Sequence, residues 1–128
     1  MNGWMGSRYM ELNSPQNYRT FVRESEISSA GPSKLWSIID EHEATIDDAW
    51  FLVTMNDMQP FASFPAMRHD RGYVLNFADG HVETYKLRDP NTPNPALSPM
   101  NGGGYQVTKG NMDWLRLKQV TTILDGVR

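Results

Sequence analysis

The stretch from Arg68 to Leu87, RHDRGYVLNFADGHVETYKL, decides the reading of the fold. Tyr73, Leu75 and Phe77 alternate with Val74, Asn76 and Ala78, the period of a strand with one buried face. Asp79-Gly80 then supplies a dipeptide that accepts positive φ at both central positions of a two-residue type I′ turn. His81 to Leu87 returns, with Val82, Tyr85 and Leu87 as its bulky residues. The pattern predicts a β-hairpin over residues 73–87.

Working outward, Gly31-Pro32-Ser33 breaks the chain before Leu35-Trp36-Ser37-Ile38-Ile39, an apolar run with β-branched residues that reads as a buried strand. Asp40 to Asp48 holds five acids and two apolar residues and reads as a loop, after which Ala49 to Met55, with Trp50, Phe51, Val53 and Thr54, reads as a further strand. The first thirty residues follow neither period and predict loops, with a short strand or turn near Thr20 to Glu24. An irregular segment is expected over 56–65. Pro90, Pro93, Pro95, Pro99 and Gly102-Gly103-Gly104 make 88–111 a surface excursion. Asn111 can N-cap a short helix with Asp113 in its first turn and Trp114, Leu117 and Val120 near one face. The expectation is one α+β, mainly β domain over 1–128, with an antiparallel sheet of about four strands. Its expected core is Trp36, Ile38, Phe51, Val53, Leu75, Phe77, Val82 and Tyr85.

Composition narrows the function. A length of 128 residues fits one domain able to bury roughly two thirds of its unfolded surface. Lysine and arginine number 12 against 15 acids, with no basic cluster, so nucleic acid is a poor partner. The absence of cysteine removes disulfides, thiolate metal sites and cysteine nucleophiles together. No apolar run reaches the roughly 18 to 20 residues of a membrane span.

Asp40-Glu41-His42, Asp47-Asp48, His69, Asp79 and His81 are the one constellation with chemical potential. Histidines with carboxylates are zinc ligands, and carboxylates with loop carbonyls suit calcium. On the strand reading, His42 follows the 35–39 strand, His69 enters the hairpin and His81 leaves its turn, so that with Asp40 and Asp79 they could meet at one sheet edge around a divalent cation. The competing reading is structural: Asp79 stabilises its own turn, His69 and His81 bond across the hairpin mouth, and His42 caps a strand. No HExxH or other fixed-ligand spacing decides between them. No nucleophile elbow is present, and adjacent Asp47 and Asp48 would point to opposite faces of a strand, so the expectation is not an enzyme. Among the four tryptophans, Trp36 and Trp50 lie in apolar runs, which leaves Trp4 and Trp114 as the pair free to stack on a sugar.

His69 and Asp79-Gly80 are separated by nine residues, and this spacing inside FADGHVE resembles the C-terminal signature of a bacterial pseudopilin-like family related to type II secretion. Further blocks resemble the family in the same order: Met1 to Gly6, Pro32-Ser33-Lys34-Leu35-Trp36, Asp40-Glu41-His42, Thr45-Ile46-Asp47-Asp48, Asn111 with Asp113 and Leu117, and Thr121-Thr122. The resemblance implies a prepilin leader and a hydrophobic helix upstream of Met1, an extracytoplasmic globular part anchored to the membrane only through that helix, and a role in fibre assembly. It implies partners among other pseudopilins, copies of itself and the secretion machinery. The calcium loop of the major pseudopilins has no counterpart here, since Gly102 to Gly104 has no acid nearby before Asp113. A carbohydrate- or metal-binding surface module exported by the same route is the alternative. With the upstream helix missing, an apolar strip from the 35–39, 49–55 and 73–87 strands is expected to lie uncovered, to be hidden by dimerisation or by the chain's own Met1 to Ser29 segment or C-terminal helix folding across it, or to drive slow aggregation.

Overall fold

The computed structural model describes residues 1–6, 18–55, 63–94 and 110–124. Its elements run in the order α1 (Glu24–Ala30), a 3₁₀ turn (Pro32–Lys34), β1 (Trp36–Ile39), β2 (Gly72–Phe77), β3 (Val82–Lys86) and α2 (Met112–Gln119). The three strands form one antiparallel sheet in the order β1-β2-β3, giving an α+β architecture. Residues 95–109 of the predicted 88–111 excursion and most of the irregular 56–65 segment lie outside the described residues.

The hairpin forms, with a different turn from the one expected. Phe77 N donates to His81 O at 2.8 Å and Gly80 N to Phe77 O at 2.9 Å, so three residues, Ala78, Asp79 and Gly80, make the loop. Of these only Gly80 has positive φ, at 92°. This is a type I turn completed by a left-handed glycine, the usual three-residue hairpin solution. Two successive positive φ angles occur instead at the other end of β2, at Asp70 (53°) and Arg71 (60°), in a turn closed by Gly72 N donating to His69 O at 3.0 Å. Gly72 has to be glycine, because a Cβ there would lie 2.8 Å from His69 O.

Two predicted core residues face solvent. Trp36 pairs with Phe77 and Ile39 with Leu75, while a bulge lies between Trp36 and Ile38. The extra residue reverses the parity of β1, so Ile39 joins Trp36 inside and Ile38, paired with Asn76, is 56% exposed. Ser37 uses the bulge: its O accepts Asn2 N at 2.9 Å. Val82 pairs with the other side of Asn76 and is 57% exposed. It differs in parity from Tyr85 and could not share its face.

Among the described residues the expected strand at 49–55 joins no ladder. Phe51, Val53 and Met55 alternate inward as a strand would, but the backbone partners are at the N-terminus: Phe51 N donates to Met1 O at 2.7 Å and Gly3 N to Phe51 O at 3.0 Å, a single parallel bridge between Asn2 and Phe51. Among the described residues the sheet therefore has three strands. Its inner face is covered by Trp4, Phe51, Val53 and Phe64 and by Trp114 and Leu117 of α2, one cluster that also holds Trp36, Tyr73, Leu75, Phe77 and Leu87. Most of the large aromatic and aliphatic side chains expected in an uncovered strip are thus buried, and the outer face retains Ile38 and Val82 on either side of Asn76 with the half-buried Val74 beside it.

The remaining elements are set by their ends. Helix α1 carries one large apolar residue, Ile27, and buries no side chain; Glu26 accepts Val22 N at 2.7 Å and Arg23 N at 3.0 Å, and Gly31 (φ 97°) with Pro32 terminates it. Asn111 caps α2 by accepting Trp114 N at 3.0 Å, as the sequence predicts. Asp113 and Asp89 fasten the helix reciprocally. Asp113 accepts Arg88 N at 2.9 Å and Asp89 N at 3.1 Å, while Asp89 accepts Met112 N at 2.8 Å. Residues 88–92 are therefore tied to the helix and not a free excursion.

Candidate functional site

The sheet separates the predicted metal ligands. Asp79 lies in the loop after β2 and His81 immediately follows it, whereas His69 precedes β2 at its opposite end. Five steps of strand at about 3.3 Å each put roughly 17 Å between the two ends. The five residues Asp40, His42, His69, Asp79 and His81 thus do not meet at one edge, because two of the histidines are held at the two ends of a single strand. Among the described residues no three His, Cys, Asp or Glu side chains converge in a group suited to a metal.

At the loop end, His81 Nδ1 contacts Asp79 Oδ1 closely, and His81 N donates to the same oxygen at 3.1 Å. The ring stacks on Phe77 with centroids 4.3 Å apart. His81 Nε2 lies 3.5 Å from Glu83, whose other oxygen is 3.8 Å from Arg116. The hydrogen bond to Asp79 holds the His81 pKa above its ordinary value, and the backbone N–H of His81 holds that of Asp79 below its own. Asp79 thus stabilises its turn, as the structural reading held, with His81 bonding to Asp79 and not across the hairpin mouth to His69.

At the other end the structure forms a pocket of about 270 Å³ lined by His42, Glu43, Met67, Arg68, Arg71 and Asn94. Backbone pairing assembles its walls: His42 N donates to Phe64 O and Ala66 N to Asp40 O, both at 2.7 Å, which lays the acidic loop against 64–66. Arg68 then bridges Asp40 at 3.2 Å and Glu43 at 2.9 Å. His42 Nδ1 accepts Ala44 N at 3.1 Å, so the tautomer that fits carries its hydrogen on Nε2. Among the described residues the Arg71 guanidinium has no ion-pair or hydrogen-bond partner. Of the candidates read from sequence, Asp40 and His42 belong here, one as the partner of Arg68 and one in the lining. Arg68, Arg71 and Asn94 went unread; the one sequence signal was the run Asp70-Arg71-Gly72, where glycine arrives one position too late to take the second left-handed place.

The tryptophans considered for sugar stacking are in the core: Trp4 Nε1 donates to Val53 O at 2.8 Å, and Trp114 is buried with it. A second buried network joins distant parts of the chain. Asn2 Nδ2 donates to Trp36 O at 2.8 Å and Thr121 O at 3.0 Å, Asn2 Oδ1 accepts Trp4 N at 3.0 Å, and Trp36 Nε1 donates to Thr121 Oγ1 at 2.8 Å. No protein family, curated protein or solved structure matches the chain.

Proposed function

We propose that this chain is the extracytoplasmic globular part of a pseudopilin-like protein, an assembly subunit of a type II secretion or type IV pilus-related fibre. One observation carries the reading: blocks of sequence that resemble the family in order along the chain also meet in space. Asn2 and Trp4 from the first block, Trp36 from the second and Thr121 from the last share one buried hydrogen-bond network, and Asn111 and Asp113 position the helix that closes the core over it. Residue types that look like a signature are thus accounted for as structure, as expected where function lies in surfaces that pack and not in a reacting centre. No helix among the described residues is long and apolar enough to cross a membrane.

The chain contains no cysteine, which makes the test direct. Single cysteines placed at the exposed positions Ile38, Val82 and Leu115, in the full-length protein in the cells that make it, are treated with a thiol cross-linker. An assembly subunit gives a ladder of multimers in the membrane fraction from at least one position. Monomer at every position, in the soluble fraction, would refute the proposal.

A further inference from the structure

We infer that the pocket between His42, Arg68, Arg71 and Asn94 is a binding site for a single carboxylate group. Three features point the same way. The first is an uncommitted cation: among the described residues Arg71 lines the pocket without a partner, and guanidinium recognises carboxylate through paired N–H donors. The second is its backbone. Arg71 is held at φ 60° in a turn closed at 3.0 Å, a position where glycine or asparagine would be at ease, and non-glycine residues kept in such conformations concentrate at ligand sites. The third is His42, whose Nδ1 is occupied by Ala44 N at 3.1 Å, leaving Nε2–H as a second donor on the same lining.

Local charge selects the ligand. Asp40 and Glu43 both face Arg68, at 3.2 and 2.9 Å, so with Arg71 the four charges cancel, and Arg71 is the guanidinium that has no carboxylate beside it among the described residues. A single carboxylate can pair with that guanidinium, whereas a phosphate dianion would bring a second negative charge towards Glu43. The volume of about 270 Å³ accommodates a carboxylate with a few attached heavy atoms, and Met67 offers them an apolar wall. The carboxylate could come from a peptide or from an acidic sugar, and the pocket's chemistry is the same for both.

NMR on the intact chain, following the Arg71 side-chain N–H and His42 ring signals at constant ionic strength, distinguishes these sources. N-acetylglycine and glucuronate are titrated separately, with chloride as the control anion. Saturable shifts of both residues with N-acetylglycine support a peptide carboxylate, and with glucuronate a sugar acid. Arg71→Gly removes the guanidinium and relaxes the backbone, so affinity should fall about tenfold or more, the worth of a charge-assisted hydrogen bond, while the melting temperature holds or rises. Arg71→Asn, also tolerant of positive φ, should behave alike. The inference is overturned if neither acid shifts these signals, if chloride shifts them equally, or if both variants bind as tightly as the parent.

Discussion

Replacing Asn2 by alanine tests whether the N-terminus is a structural keystone. The side chain is 0% exposed and satisfies three backbone groups at once: Trp36 O, Thr121 O and Trp4 N. Alanine removes every partner and leaves a hole about the size of one amide, too small and too enclosed to restore three well-directed bonds with water. Each orphaned buried group costs about 1–3 kcal/mol, so the substitution should destabilise by about 3–6 kcal/mol. Against a total of roughly 5–15 kcal/mol for a native domain this is a large fraction. It should lower the melting temperature by more than about 10 °C for a chain of this size.

Urea unfolding of the chain with Met1 retained, followed by tryptophan fluorescence, measures the change directly, since Trp4 and Trp36 both adjoin the site. Asn2→Asp sharpens the result. It keeps the acceptor for Trp4 N but replaces the Nδ2 donor with a carboxylate oxygen facing two carbonyl oxygens, so burial and that repulsion should raise its folded pKa above the ordinary aspartate value. A raised folded pKa gives stability that is present at low pH and lost as pH rises, so Asn2→Asp should recover relative to the parent on acidification, when one oxygen can donate again. A loss below about 1 kcal/mol for Asn2→Ala, or an Asn2→Asp deficit independent of pH, would show that the first four residues are not held as described.

Three further outcomes are expected. Asp113→Ala, which strips the acceptor from Arg88 N and Asp89 N in a residue only 2% exposed, should cost about 2–4 kcal/mol in urea unfolding and loosen 88–92; a change under about 1 kcal/mol would break the link between that segment and α2. Gly80→Val should destabilise by about 1 kcal/mol or more although open space surrounds a Cβ there, because φ is 92°; an unchanged melting temperature would remove the left-handed glycine from the turn. The His81 and Asp79 pair should stabilise the hairpin most between about pH 4 and 6.5. The raised His81 pKa gives stability that is full below the ordinary histidine value and lost as pH rises through the folded one, and the lowered Asp79 pKa gives stability present above the ordinary aspartate value and lost as pH falls through the folded one. Proton NMR of the His81 ring should show titration above the ordinary histidine range that returns towards it in Asp79→Asn, and an identical midpoint in both would refute the pairing.

The hairpin was legible because strand alternation in Tyr73, Leu75 and Phe77 needs no tertiary information, and the cap at Asn111 because it is decided within three residues. The turn type was not, since Asp-Gly suits a two-residue loop as well as a three-residue one and the pairing of Phe77 with His81 chooses. Ile38 was misplaced by a bulge that depends on Ser37 O meeting Asn2 N, a contact across 35 residues of chain. Helix α1 stayed hidden because it buries nothing and is held by its ends. The pocket escaped because its deciding property, an arginine at positive φ, leaves no mark on composition or period.

The way the inner face is closed constrains how such a subunit could assemble. An upstream helix was expected to cover an apolar sheet face, yet Trp4, Phe51, Val53, Phe64, Trp114 and Leu117 already occupy that face from within the described chain. The outer face offers three aliphatic side chains, the exposed Ile38 and Val82 and the half-buried Val74, around the polar Asn76. These residues supply far less than the roughly 800 Å² per partner of a stable interface. In the proposed reading, folding of this part therefore does not wait for the helix. The affinity that holds a fibre together would come mainly from the bundled upstream helices, with this globular part setting register through weak polar contacts. That division predicts a protein that folds before it polymerises, a sequence of events in which the buried network around Asn2 is complete in the monomer.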